Sequence, residues 1–123
     1  MQAIRIEYSD GKGLWRADAG NMFSCIIEKA KCEPELQKRH SNFPSPAIDG
    51  ELSVKFRPGI HFCAFKSIEQ LQQWVLSEEM KEIIQLGFRV YLLELSEWLE
   101  GEYQIAYDKK FIAKKEDITS LFT

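Results

Sequence analysis

The stretch from His61 to Trp74, HFCAFKSIEQLQQW, constrains the fold more than any other part of this chain. Five residues suited to a strand, 61–65, run directly into a helix whose start is written out. Ser67 stands where an N-cap belongs, and Gln70, three residues on, completes a capping-box pattern. Ser67 is expected to accept a hydrogen bond from the amide of Gln70, while the Gln70 side chain reaches back to the amide of Ser67. A cap of this kind typically contributes about 0.5–2 kcal/mol and fixes a sharp strand-to-helix corner. Ile68, Leu71, Trp74 and Val75 then form the buried face of the helix. The corner leaves amides and a hydroxyl at a strand end, where ligands often bind, and it is equally an ordinary way to begin a helix.

The rest of the chain is read around that corner. Residues 3–8 alternate, with Ile4, Ile6 and Tyr8 on one side and Arg5 and Glu7 on the other, as in a half-buried strand. Gly11 and Gly13 turn the chain. Met22, Phe23, Ile26, Ile27 and Ala30 share a stripe that predicts a helix over 21–32. Residues 37–50 carry Pro44, Pro46 and Gly50 and no sustained period, so a loop is expected. Leu52, Val54 and Phe56 alternate with polar residues as a second strand. Acids Glu78 and Glu79 suit the start of a helix at Ser77, and Gly87 suits its end. Residues 88–95 are apolar at nearly every position, which predicts a central strand covered on both faces. A strand follows over 102–107, and 111–122 combine a short strand with an acid-capped turn. Strands interleaved with a few helices predict one α+β domain over 1–123, with a small mixed or antiparallel sheet and two or three packed helices. Its core is expected to include Ile4, Ile6, Ile26, Phe62, Leu71, Trp74, Val90 and Leu92.

Composition narrows the function classes. Hydrophobic residues at 45% and charged residues at 28% are those of a globular protein with a real core. A net charge of −3 and no basic run argue against a nucleic-acid-binding surface. No apolar run reaches the roughly 20 residues that span a bilayer, and no signal peptide is written at the N-terminus, so a cytoplasmic location is expected. Cys25, Cys32 and Cys63 are odd in number and widely spaced, which favours free thiols over a disulfide framework or a zinc site. No metal site is expected.

Candidate chemistry is sparse. Gly11-Lys12-Gly13 lacks the spacing of a phosphate-binding loop and reads more readily as a turn. His40 and His61 have no ligand or triad partner at a telling distance along the chain. Glu102 and Gln104, two apart on the expected strand, share a face and could together hold sugar hydroxyls or stabilise developing positive charge; a solvated outer face is the plainer reading. Arg5 could clamp a phosphate, or simply pair with Glu7 or another surface acid.

Together, Arg5 within Ile4-Arg5-Ile6, the corner Phe65-Lys66-Ser67, and Glu102-Tyr103-Gln104-Ile105 resemble the parts of an ADP-ribosyltransferase-type domain. The resemblance implies an NAD cleft, with Arg5 on phosphate or ribose, Ser67 on the nicotinamide-side ribose, and Tyr8 or Phe65 stacked on nicotinamide. It implies Glu102 or Gln104 as the catalytic group on the ribose 2′-hydroxyl. The order Glu-x-Gln reverses the pair carried by many transferases, which separates fold from activity here. The chain also resembles small bacteriophage and prophage proteins. The competing reading is of a different class, a non-enzymatic binding protein or inhibitor, as a phage or prophage factor acting on a host protein complex would be. Glu78-Glu79, the acids of 97–102 and Trp98 would form its surface.

Overall fold

A computed structural model describes residues 1–9, 11, 13, 15–18, 21–25, 49–57 and 59–123. The architecture grows from one strand. β1 (Gln2–Glu7) pairs antiparallel with β5 (Arg89–Leu95), and β5 in turn pairs antiparallel with β8 (Ile112–Asp117). β5 is therefore central, as its continuous apolar sequence predicts. A second three-stranded antiparallel sheet contains β4 (His61–Ala64), β7 (Ile105–Asp108) and the two-residue β6 (Leu99–Glu100), with β7 in the middle. The two sheets are joined at one point. Ile4 and Phe65 exchange both backbone hydrogen bonds, at 2.9 and 2.8 Å, so β4 touches the free edge of β1 just before the corner. A separate hairpin pairs β2 (Trp15–Asp18) with β3 (Asn21–Cys25).

Two helices cover one face of the first sheet. α2 (Ile68–Trp74) and α3 (Ser77–Gln85) bury Leu71, Trp74, Val75, Met80 and Ile83 against Ile4, Ile6, Phe88 and Val90. Phe65 and Leu92 pack on that cluster, with Phe65 edge-on to Trp74 at 5.5 Å between ring centres. The other face of β1 and β5 meets the second sheet, where Ala3, Leu93 and Leu95 pack with Ala64, Ile105 and Tyr107. The result is a small α+β fold with antiparallel sheets and two helices, plus a single helical turn, α1 (Leu52–Lys55).

Four expectations are corrected. Asn21–Cys25 is a strand, because a five-residue apolar pattern serves either period and pairing with β2 decides it. Residues 26–32 of the expected helix, with Ile26, lie outside the described residues, as does most of the 37–50 loop. Leu52–Lys55 is a helical turn, not a strand, started where the Leu52 amide bonds the Asp49 carbonyl at 2.9 Å. The strand expected over 102–107 is β7, which begins at Ile105 rather than Glu102. β1 is buried on both sides, not one: residues 3–7 are all buried because the second sheet covers the face that alternation assigns to solvent. In the expected core, Ile4, Ile6, Leu71, Trp74 and Val90 are buried, while Phe62 and Leu92 are only half-buried.

Candidate functional site

The corner forms as the sequence predicts, with one change of partner. Ser67 is the N-cap of α2, and its Oγ accepts from the Gln70 amide at 3.1 Å. The Gln70 side chain reaches back one residue further than expected: its Oε1 accepts from the Lys66 amide at 2.6 Å. That leaves its Nε2 free to donate to the Tyr103 carbonyl. Lys66 Nζ donates to the carbonyl of Glu102 at 3.2 Å. Corner and late segment, far apart in sequence, are thus tied together by two side chains.

Asp49 completes the tie from the other side. It is fully buried, and its carboxylate accepts from the Glu102 amide at 2.6 Å and from the Tyr103 amide at 3.2 and 3.3 Å. These bonds stop 102–103 from joining a ladder, which is why the strand starts late. A Cβ on Gly101 would lie 2.6 Å from Asp49 Oδ2 and 2.7 Å from Leu52 Cδ1, so only glycine lets the bend come this close. The Gly101 amide closes the turn on the Gln104 carbonyl at 2.9 Å. Nothing in the local pattern of 101–104 announces Asp49. A lone acid just before a glycine, at the end of a proline-bearing loop, is the only trace of it.

The residues proposed for a dinucleotide cleft are distributed over several environments. Ser67 and the Glu102–Gln104 segment meet, as above; Glu102 is exposed and Gln104 is buried. Phe65 packs in the helix-side core. Tyr8 lies over the C-terminal end of α3, with its ring 5.1 Å from that of Phe88 and against Gly87. Arg5 faces the second sheet, opposite the side of β1 on which Ile4 and Ile6 meet the helices. It does not pair with Glu7. Its Nη1 donates to the Cys63 carbonyl at 2.7 Å and its Nη2 to the Gly11 carbonyl at 3.3 Å. Glu7, on the same face, pairs instead with Lys115 at 2.8 Å.

Two titratable groups lie within electrostatic reach of Arg5. Burial pushes the Cys63 thiol up to about 12 against a partial opposing pull from Arg5. Burial likewise raises the Tyr107 phenol to about 12, again opposed by Arg5. Both are neutral at physiological pH. His61 has a structural engagement, its Nδ1 accepting from the Arg57 amide at 2.9 Å. His40 lies outside the described residues. Among the described residues no group of three or more His, Cys, Asp or Glu is placed to hold a metal, and no helix is long and apolar enough to cross a membrane.

The outer surface of the bend carries a different chemistry. Between Ser96 and Tyr103 the chain displays Glu97, Glu100 and Glu102 with no basic residue, and Trp98 and Tyr103 are 41% and 39% exposed. The segment is held at both ends: the Ser96 amide bonds the Phe111 carbonyl at 3.0 Å, and Asp49 and Gln70 hold 102–103. A family model described as Bacteriophage T4 Y00F protein matches residues 1–120, so the chain belongs to that family of phage proteins. No curated protein and no solved structure matches it.

Proposed function

We propose, from the chain's place in that phage family, that it is a non-enzymatic binding protein whose 97–103 segment engages a basic surface of a host protein. The observation that carries this reading is the acidic, aromatic and pre-ordered character of the bend. Half-exposed Trp98 and Tyr103 supply large contact area at low entropic cost, and aromatic anchors of this kind dominate binding energies. Glu97, Glu100 and Glu102 supply a charge that steers a basic partner. Because Asp49 and Gln70 already fix the backbone, little ordering cost is left for binding. The test is cross-linking in infected cells with the wild-type chain, Trp98→Ala, and a Glu97→Gln/Glu100→Gln/Glu102→Gln variant. The reading expects one host protein captured by the wild type in a salt-sensitive manner and lost with both variants. Capture that survives both variants overturns it.

A second reading, ADP-ribosyl transfer from NAD, is favoured by the meeting of the Ser67 corner with the Glu102–Gln104 segment. Weighing against it, Ser67 Oγ is committed to its cap and Arg5 faces another layer. A ligand that binds only the folded chain raises its apparent stability, so thermal unfolding with increasing NAD separates the readings. Stabilisation by NAD that is weakened by both Ser67→Ala and Gln104→Ala supports transfer. No stabilisation rejects it.

A further inference from the structure

Arg5 presents an energetic problem. Its residue is 8% exposed, sandwiched between two sheets, and a buried cation without a counter-charge is expensive. Among the described residues it makes no ion pair, and its Nε has no hydrogen-bond partner. Among the described residues, the nearest candidates for neutralising it are committed elsewhere. Glu7 is committed to Lys115, and Cys63 and Tyr107 are held in their neutral forms. Two carbonyl oxygens solvate the guanidinium without cancelling its charge.

A second cation stands nearby. Lys109 Nζ lies 4.4 Å from the centre of the Phe62 ring, and Arg5 Cζ lies 5.6 Å from the same centre. Lys109 is exposed, so this cluster opens to solvent where Arg5 alone does not. Gly11 and Gly13 border the two groups. A Cβ on Gly13 would approach Arg5 Nη1 to 3.2 Å, and one on Gly11 would approach Lys109 Nζ to 3.4 Å. Glycines at these places leave backbone, not side chains, beside the two cations.

We propose that Arg5 and Lys109, beside the Gly11 and Gly13 backbone and the Phe62 ring, form a binding site for a phosphate-type oxyanion. Such an anion supplies the negative charge that no described residue gives Arg5. The planar guanidinium with a flexible ammonium next to it is a pairing that recognises phosphate oxygens. The site is independent of the 97–103 surface, which lies on the bend before β7 and uses none of these residues.

The test is thermal unfolding of the full chain, with calorimetric titration alongside, in sodium phosphate, in ADP, and in sodium chloride at matched ionic strength. The inference expects saturable stabilisation by phosphate or ADP that chloride does not reproduce. Since Arg5 variants risk misfolding, the deciding variant is Lys109→Ala at an exposed position. It should weaken the anion about tenfold or more, the loss of roughly one charge-assisted bond. Lys110→Ala, which removes a cation already paired with Asp108, should leave affinity unchanged. Equal stabilisation by phosphate and ADP identifies free phosphate as sufficient, and stabilisation by ADP alone identifies a nucleotide source. Absence of saturable stabilisation, equal action of chloride, or an affinity indifferent to Lys109→Ala overturns the site.

Discussion

The two faces of β1 are built from alternate residues of one six-residue strand, yet they close over unlike interiors. On one, Ile4 and Ile6 meet Leu71, Trp74, Ile83 and Val90 in a wholly apolar cluster. On the other, Arg5 and Glu7 are buried with Tyr107 and Lys115 in reach, beside a smaller apolar cluster in which Ala3, Leu93 and Leu95 meet Ala64 and Ile105. The apolar side can be stabilised by any well-fitted hydrophobic set, since the driving force is area removed from water. The polar side is stable only while each donor and charge keeps its specific partner. Damage on the first should therefore scale with volume, and damage on the second with pairing.

The largest effect is expected on the apolar side. Trp74 is 4% exposed and fills the space between α2, Phe65 and β1. Trp74→Ala should cost about 3–5 kcal/mol by denaturant unfolding. A cost below about 1 kcal/mol would mean that this interior collapses freely, and the contrast with the polar side would vanish.

On the polar side, Lys115→Met leaves the Glu7 carboxylate buried without its cation. Lys115 is 41% exposed and also lies 4.3 Å from the Tyr91 ring centre, so its pairing is partly wet. A loss of about 1.5–3 kcal/mol is expected, that of a hydrogen bond to a charged group. Adding Glu7→Gln should recover more than half of it, because a buried pair costs most when only one member is removed. Strictly additive losses in that cycle would show that the two residues do not act as a pair.

These two faces also show how much of the molecule the sequence discloses. The apolar side was legible: Ile4 and Ile6, the Ser67 cap, the stripe Leu71-Trp74, Gly87 at the end of α3 and the continuous apolar β5 all act through local patterns. The polar side was not. Alternation places Arg5 and Glu7 away from Ile4 and Ile6, which is right, but cannot say that a second sheet returns to cover them. That requires β4 to reach the edge of β1 through the single Ile4–Phe65 bridge. The bend at 102–103 was hidden for a similar reason, since its amides are taken by Asp49, 53 and 54 residues away. What the sequence did disclose there was composition alone: the acids and Trp98 are visible without knowing their geometry. The misread segments, 21–25 and 52–55, are too short for either period to win, so pairing and a single carbonyl contact decided them.

A smaller effect sharpens the comparison within the helical layer. Ser67→Ala removes the Oγ acceptor of the Gln70 amide and should cost about 1 kcal/mol. The loss should be local, with amide exchange accelerated at the start of α2 and unchanged across β4 and β7. Faster exchange in β7 as well would show that the Gln70–Tyr103 tie transmits the damage into the second sheet.

The smallest effect at neutral pH is expected from Cys63→Ala, and it sets the surroundings of Arg5 against the apolar cluster by charge rather than by volume. The apolar cluster contains no titratable group, so raising the pH should leave it untouched. Around Arg5, Cys63 is raised from 9.0 to about 12 and Tyr107 from 10.0 to about 12, in both cases chiefly by burial. A folded pKa above the unfolded one means that the unfolded chain releases its proton first as pH rises. The stabilisation is therefore complete below pH 9 and is lost as pH climbs through 9 toward 12. Cys63→Ala removes the thiol's share, so its stability should stay level until the Tyr107 contribution begins to fall above pH 10. Unfolding free energies measured from pH 7 upward should diverge between wild type and variant in that first interval. Parallel curves would place the thiol in contact with water and leave Tyr107, packed with Leu93 and Ile105, to report on the interior between the sheets.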